Sequence, residues 1–498
     1  MQSQPNHLSA VQQHSGTSDT LVKIIHALPN AFTPFPLMAE IQNQHPSRQV
    51  DDSTQQVLKR ELGVTDATFL GLGSIVGTGV FVSIGMGAGI TGPSVVLAIG
   101  AASLLALCNA LSSAQLAANH PVSGGTYEYG YRYLHPLLGF QAGWLFLIAK
   151  SASAATAALG FSSYLVHSLN WPPERIPTLA AGTTLMLTLL VAGGISRSNR
   201  VNTLMVSVTL LSLGYLVAIC ITSVDENSFQ RLRPMWASVF KHPANFLHAT
   251  GLMFVAFTGY GRIATLGEEV LQPRKTIPRA ILLTLLVSAL VYAVVALSAL
   301  MIVGDRTLYQ ATLQNAAPLE DVARKMNHSA LLVVITLGAM TAMLGVLLNL
   351  ILGLSRVLLA MGRRGDMPAY TAGLATRSKS PVNSVLTMGL FVTALVFAGR
   401  IQFTWSLSAF TVLIYYGLTN LAALRLKREE RLFPPFFSWC GFASCCFLVF
   451  WLDPTTKLFG LGVLGSGFAW FCLCSRLRTG TKSSESSISP DEPTVHRE

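Results

Sequence analysis

Apolar residues in this 498-residue chain come in long runs separated by short polar stretches, and the runs are too long for the strands or amphipathic helices of a water-soluble core. A helix of about 20 mostly apolar residues crosses the hydrocarbon layer of a bilayer. Twelve segments reach or approach that length: 66–90, 93–117, 138–165, 176–194, 202–223, 247–267, 279–303, 329–361, 384–399, 401–424, 436–452 and 458–475. The pattern predicts an all-α integral membrane protein with 12 transmembrane helices. Residues 1–63 are polar and rich in Gln, His, Ser and Pro, and 476–498 are rich in Ser, so both ends read as flexible tails. The N-terminal stretch lacks the positive-then-apolar order of a cleavable signal.

Composition agrees with the pattern: 51% of residues are hydrophobic, 11% are charged, and the mean hydropathy is +0.50. The net charge of +11 could mark a nucleic-acid partner. Instead, Lys and Arg fall about twice as often on loops of one side as on loops of the other, which expects no nucleic acid and puts both termini in the cytoplasm of a multi-pass plasma-membrane protein. The seven cysteines all lie in apolar segments without disulfide-framework or zinc spacing. The histidines make no HExxH pair and there is no GxxxxGK[ST] loop, so neither a metal, nor another cofactor, nor nucleotide-driven pumping is expected. No convergent His, Asp or Ser set points to an enzyme.

Two segments break the helical pattern. GLGSIVGTGVFVSIGMGAG, 71–89, carries glycines at 71, 73, 77, 79, 85, 87 and 89 inside a span, and FVAFTGYGRIATLGEE, 254–269, carries Gly259 and Gly261 inside another. Irregular backbone at membrane depth survives only where protein or a polar cavity satisfies the freed N–H and C=O groups, and transporters bind substrate at such places. The breaks sit five spans apart, and an odd repeat puts the two halves in opposite membrane orientation. Residues 64–223 (spans 1–5) and 247–424 (spans 6–10) are then inverted repeats, with two additional C-terminal helices in 436–475. The alternative is that the glycines only allow close helix packing, as in the pair Gly73 and Gly77.

Four motifs resemble the amino acid-polyamine-organocation (APC) superfamily, in its amino-acid permease branch: GLGSIVGTGVF at 71–81, PVSGGTYEYGYRYLHPLLGFQAGW at 121–144, FVAFTGYGRIATLGEEVLQPRKTIPRAI at 254–281 and SRVLLAMGRRGDMP at 355–368. The resemblance runs from about Gly63 to span 12. It implies a five-plus-five inverted-repeat, LeuT-like fold and secondary transport of amino acids or related amines. The chemistry of the breaks suits such a substrate. N–H groups around Gly77, Thr78 and Gly79 stand at a helix start and can hold a carboxylate. Freed carbonyls near Ile75 and from Ala256 through Phe257 and Thr258 to Gly259 can accept from an ammonium. In relatives an aromatic of span 6 closes over the substrate; the aligned position here is Val255, between the gate candidates Phe254 and Phe257, either of which could instead be packing.

Two cations lie within the spans, Lys150 in span 3 and Arg262 just past the second break. Members of the family resembling cationic amino-acid carriers have a Glu matching Ala149 and a Lys matching Thr209; this chain has neither. Neutral or acidic amino acids are therefore expected over cationic ones. A coupling proton or other ion would need another carrier: Lys150 can titrate when buried, whereas Arg262 stays charged. Arg262 could pair with Glu268 or Glu269, or cap freed carbonyls. Glu268 and Glu269, beside Arg274, Lys275 and Arg279, read as an inner-gate ion-pair network or as a solvated charge run. By resemblance, Glu128 and the turn at 123–125 belong to the inner loop that moves in alternating access. A membrane-embedded amino-acid sensor that retains the transporter fold is the competing reading.

Overall fold

A computed structural model describes residues 62–485 except 123, 194–198, 266, 268, 315–316, 376–379 and 399–400. Glu268 and most of both tails therefore lie outside the described residues. What is described is helical, apart from one isolated parallel bridge between Leu62 and Val270. In order come α1 (Val64–Ile75), a π-helical turn (Gly79–Ser83), α2 (Ile84–Thr91), α3 (Val95–Asn119), α4 (Thr126–Tyr133), α5 (Pro136–Ser168), α6 (Ile176–Ala192) and α7 (Asn199–Thr222). Then follow α8 (Glu226–Leu232), α9 (Met235–Lys241), α10 (Pro243–Phe257), a 3-10 turn (Thr258–Tyr260), α11 (Gly261–Ala264), α12 (Pro273–Val303) and α13 (Asp305–Gln314). The described residues end with α14 (Pro318–Lys325), α15 (Ser329–Arg364), α16 (Val382–Ala398), α17 (Ile401–Leu424), α18 (Pro435–Trp451) and α19 (Pro454–Glu485).

Eight helical runs among the described residues are long and apolar enough to cross a membrane. One of them, Val64–Asn119, contains the first two predicted spans, joined through the turn at Gly92–Ser94. Two further apolar helices, Val382–Phe397 and Pro435–Trp451, are shorter, and the predicted sixth span is divided between α10 and α11. Local chemistry sets several ends. Asp66 accepts the Gly63 N–H at 3.2 Å and puts an acidic group in the first turn of α1. α12 begins at Pro273, six residues before the apolar run, because proline is well placed at a helix start where its missing N–H costs nothing.

Helix α5 is the centre of the molecule. Its apolar window is 94% buried against 11% for that of α19, which places one in the core and the other at the periphery. Small residues from Ala149 to Gly160 let α15 and α17 approach it closely. Lipid supplies no hydrophobic drive between helices, so packing and interhelical hydrogen bonds hold the bundle. Ser153 pairs with Ser408 at 2.8 Å and Thr156 with Thr404 at 2.7 Å between α5 and α17. Each such bond contributes about 0.6 kcal/mol. α1 packs against α7, α12, α15 and the Thr258–Tyr260 turn, which brings the two interrupted segments together.

Candidate functional site

The first interruption begins where α1 ends at Ile75. Val76 leaves helical geometry with its N–H still on Leu72 O, and the chain resumes at Gly77, whose carbonyl accepts from both Val80 and Phe81 at 3.0 Å. The second lies where α10 ends at Phe257 and tightens into the 3-10 turn. The two face each other through backbone. A Cβ added at Gly259 would stand 2.3 Å from Ser74 O and 2.5 Å from Ile75 Cγ1, and one at Gly79 would stand 2.4 Å from the Tyr292 hydroxyl and 2.9 Å from Ala256 Cβ. Only glycine leaves room at these two positions.

The freed carbonyls are taken by side chains from three other helices. The Tyr292 hydroxyl of α12 donates its one proton chiefly to Ile75 O at 2.6 Å and shares it with Ala256 O at 3.2 Å, so one hydroxyl spans both interruptions. Lys150 of α5 donates to Thr258 O at 3.1 Å and to Thr258 Oγ1 at 2.9 Å, while Thr258 Oγ1 donates on to Val255 O at 2.8 Å. Tyr416 of α17 donates to the same Thr258 carbonyl at 3.1 Å. All three side chains are buried. The two aromatic gate candidates are fully buried and pack on these tyrosines: Phe254 edge-on to Tyr416 at 5.8 Å, Phe257 tilted on Tyr292 at 5.1 Å. The geometry thus joins Ile75, Gly79, Ala256, Phe257, Thr258, Gly259 and Lys150 in one place, with Gly77 packed against Val346 of α15.

Other candidates stand apart. Thr209 is buried on α7 and bonds Met205 O of its own helix at 2.8 Å. The link from α7 to α1 is made by Asn202, which donates to Phe69 O at 2.9 Å and accepts from Asn349 of α15 at 2.8 Å. Arg262 is half-buried and donates to Thr265 Oγ1 at 3.4 Å. Glu269 pairs not with Arg262 or the neighbouring basic cluster but with Arg356 of α15, at 2.5 Å. Beside it, Leu62 N–H donates to Glu269 O at 3.1 Å and Leu271 N–H to Leu62 O at 2.9 Å, tying the chain before α1 to the chain after α11. On α4, Tyr127 and Tyr131 donate to Asp366 Oδ2 at 2.7 and 2.6 Å, and Glu128 pairs with Arg364, whose guanidinium lies 4.2 Å over the Tyr131 ring. Burial raises the Glu128 carboxyl against the pull of Arg364.

Sequence reasoning missed Tyr292, Tyr416, Asn202 and Arg356. Each is a polar residue inside an apolar run, which was the available signal, but nothing local points to its partner.

The amino acid permease family model matches residues 66–459, which covers both interruptions and most of the chain. The chain belongs to the amino acid permease family. A transporter of Mycobacterium tuberculosis described as uncharacterized is 38% identical over 416 residues, 83% of this chain and 90% of the relative. The branched-chain amino acid permease BcaP of Bacillus subtilis is 28% identical over 451 residues, 85% and 95% of the two chains. The human cationic amino acid transporter 4 is 28% identical over 414 residues, 77% of this chain and 62% of that one. A multi-pass membrane permease is the description that helices and family share.

Proposed function

We propose that this permease is a secondary transporter that carries neutral or acidic amino acids, in preference to cationic ones, by alternating access. Its binding site lies between the interruptions at 76–78 and 258–260. In this reading twelve spans form the five-plus-five inverted repeat with two added helices, in a plasma membrane with both termini cytoplasmic. The observation that carries the proposal is the Tyr292 hydroxyl bonded to Ile75 O and Ala256 O, since an uncharged donor holds two carbonyls oriented for an ammonium. The substrate carboxylate goes to the helix start at Gly77, Thr78 and Gly79.

The side-chain preference follows from charge. Lys150 is bonded into the site, Arg262 follows it in the chain, and no carboxylate is hydrogen-bonded at either interruption among the described residues, so a second positive charge on the substrate would find no counter-ion. Ile75, Phe257 and Val346 make the surroundings apolar, and the likeness to a branched-chain permease makes leucine, isoleucine and valine the first candidates. Lys150 is the coupling residue in this reading. Its two bonds are within reach of a neutral amine, which leaves the third tetrahedral position of its nitrogen for a proton. On the cytoplasmic side the Glu269–Arg356 pair joins the segment after the second interruption to α15 and acts as an inner gate.

The test is uptake by purified protein in liposomes, with labelled leucine, glutamate and arginine under imposed proton or sodium gradients. Leucine or glutamate should enter faster than arginine. Fastest uptake of arginine would overturn the charge argument, and binding without flux would favour the sensor.

A further inference from the structure

Helix α14 lies in the loop predicted to face outward. It packs against the π-helical turn Gly79–Ser83 as well as α12, α13 and α15, so it sits directly on the chain that leads out of the first interruption. Leu319, Val322 and Ala323 are buried beneath it, and with them Glu320, which has no exposed surface. Its Oε1 accepts from Arg324 at 3.1 Å, but that arginine is 39% exposed and shares its charge with water. Its Oε2 is buried and has no hydrogen-bond partner among the described residues.

The groups that face this carboxyl come from two helices. From α14 itself they are Asp321 and Arg324; from α5 they are Tyr164 and His167. The Tyr164 hydroxyl donates to Phe81 O of the π-helical turn at 3.0 Å, and His167 Nε2 lies 3.6 Å from Asp321 Oδ1. His167 also lines a cavity of about 220 Å³ with Ser163, Asn170 and Trp171. An ionised carboxylate with an orphan oxygen is costly to bury, whereas the protonated acid carries no charge. Burial raises the Glu320 carboxyl above the ordinary carboxylate range, with Asp321 adding to the rise and His167 and Arg324 opposing it.

We propose that α14 is a lid over the outer end of the first span, and that seating the lid binds a proton at Glu320. Lifting the lid wets the carboxyl and releases the proton; seating it takes one from the outer solution. The sign is fixed by the higher proton affinity of the buried state: the seated lid gains stability as pH falls through the seated-state value and gains no more below the ordinary carboxylate range, about 4.3. Contacts of α14 and Tyr164 with the turn starting at Gly79 connect proton occupancy to the substrate site. The direction of proton movement rests on the transport reading above, while the lid itself can be tested without substrate.

The experiment is backbone hydrogen exchange across 317–326 in the full-length protein, in lipid nanodiscs without amino acid, at about pH 5 and about pH 8, corrected for intrinsic exchange. The wild type should be more protected in acid, by up to about tenfold for each unit separating the seated and lifted carboxyl. Glu320→Gln cannot ionise and should be protected at both values. The exposed substitution Arg324→Met removes a cation that opposes protonation, and should move the midpoint, read from measurements at intermediate pH, to higher pH. Protection independent of pH in the wild type, wild-type pH dependence in Glu320→Gln, or an unmoved midpoint in Arg324→Met would each overturn the proposal. Because no substrate is present, these outcomes are distinct from a failure of amino-acid transport.

Discussion

Removing the hydroxyl of Tyr292 separates what it does for the empty site from what it does to the substrate. Tyr292→Phe keeps the ring, which packs on Phe257 at 5.1 Å, and deletes the donor to Ile75 O and Ala256 O. Tyr292 is fully buried, so water does not readily replace it. Leaving buried acceptors unpaired costs about 1–3 kcal/mol, dominated by the 2.6 Å bond to Ile75 O. The substrate-free protein should therefore unfold at a temperature lower by one to a few degrees, roughly what that loss produces in a chain of this size. In the proposed site the same carbonyls accept from the substrate ammonium, which in the wild type has to displace the hydroxyl. Without that competition the substrate regains up to the same 1–3 kcal/mol, about 5- to 150-fold in affinity. Thermal unfolding of purified protein with and without leucine, together with equilibrium binding of labelled leucine, reads both effects. A variant with unchanged substrate-free stability, or with a smaller leucine-induced shift than the wild type, would refute the assignment of this hydroxyl as a stand-in for the ammonium.

Two further substitutions test the geometry. Gly259→Ala puts a methyl 2.3 Å from Ser74 O, a backbone atom that cannot rotate away, so the interruptions must separate at a cost of about 1–3 kcal/mol or more, and uptake should be lost although the protein reaches the membrane; normal uptake would show that the two interruptions do not meet as described. Lys150→Met removes the buried amine while Thr258 O keeps its bond from Tyr416, so folding should survive and the dependence of uptake on a pH gradient should vanish; full retention of that dependence would remove Lys150 as the coupling group.

The long helices and the two interruptions were legible because apolar length and glycine are local signals. The residues that complete the interruptions were not. Tyr292 bonds Ile75 across 217 positions and Lys150 bonds Thr258 across 108, and no periodicity within α12 or α5 indicates which turn faces another helix. Glu269 illustrates the same limit in electrostatics. The basic residues nearest in sequence are Arg274, Lys275 and Arg279, yet its partner is Arg356, brought there by the approach of α15. Thr209 was singled out by its place in a resemblance, while the polar bridge from α7 to α1 runs through Asn202, one polar residue in an apolar stretch. Glu320 was hidden differently, as an acidic residue in a polar-looking loop whose burial only the packing of α14 makes evident.

The central claim is that this permease moves an amino acid lacking a cationic side chain through the site between the two interruptions. Its most direct test is counterflow in liposomes containing only this protein and preloaded with unlabelled leucine, measured alongside Gly259→Ala. External labelled leucine should accumulate transiently, excess leucine should abolish this and excess arginine should not, and Gly259→Ala should show none. Leucine bound without entering, or arginine competing as well as leucine, would contradict it.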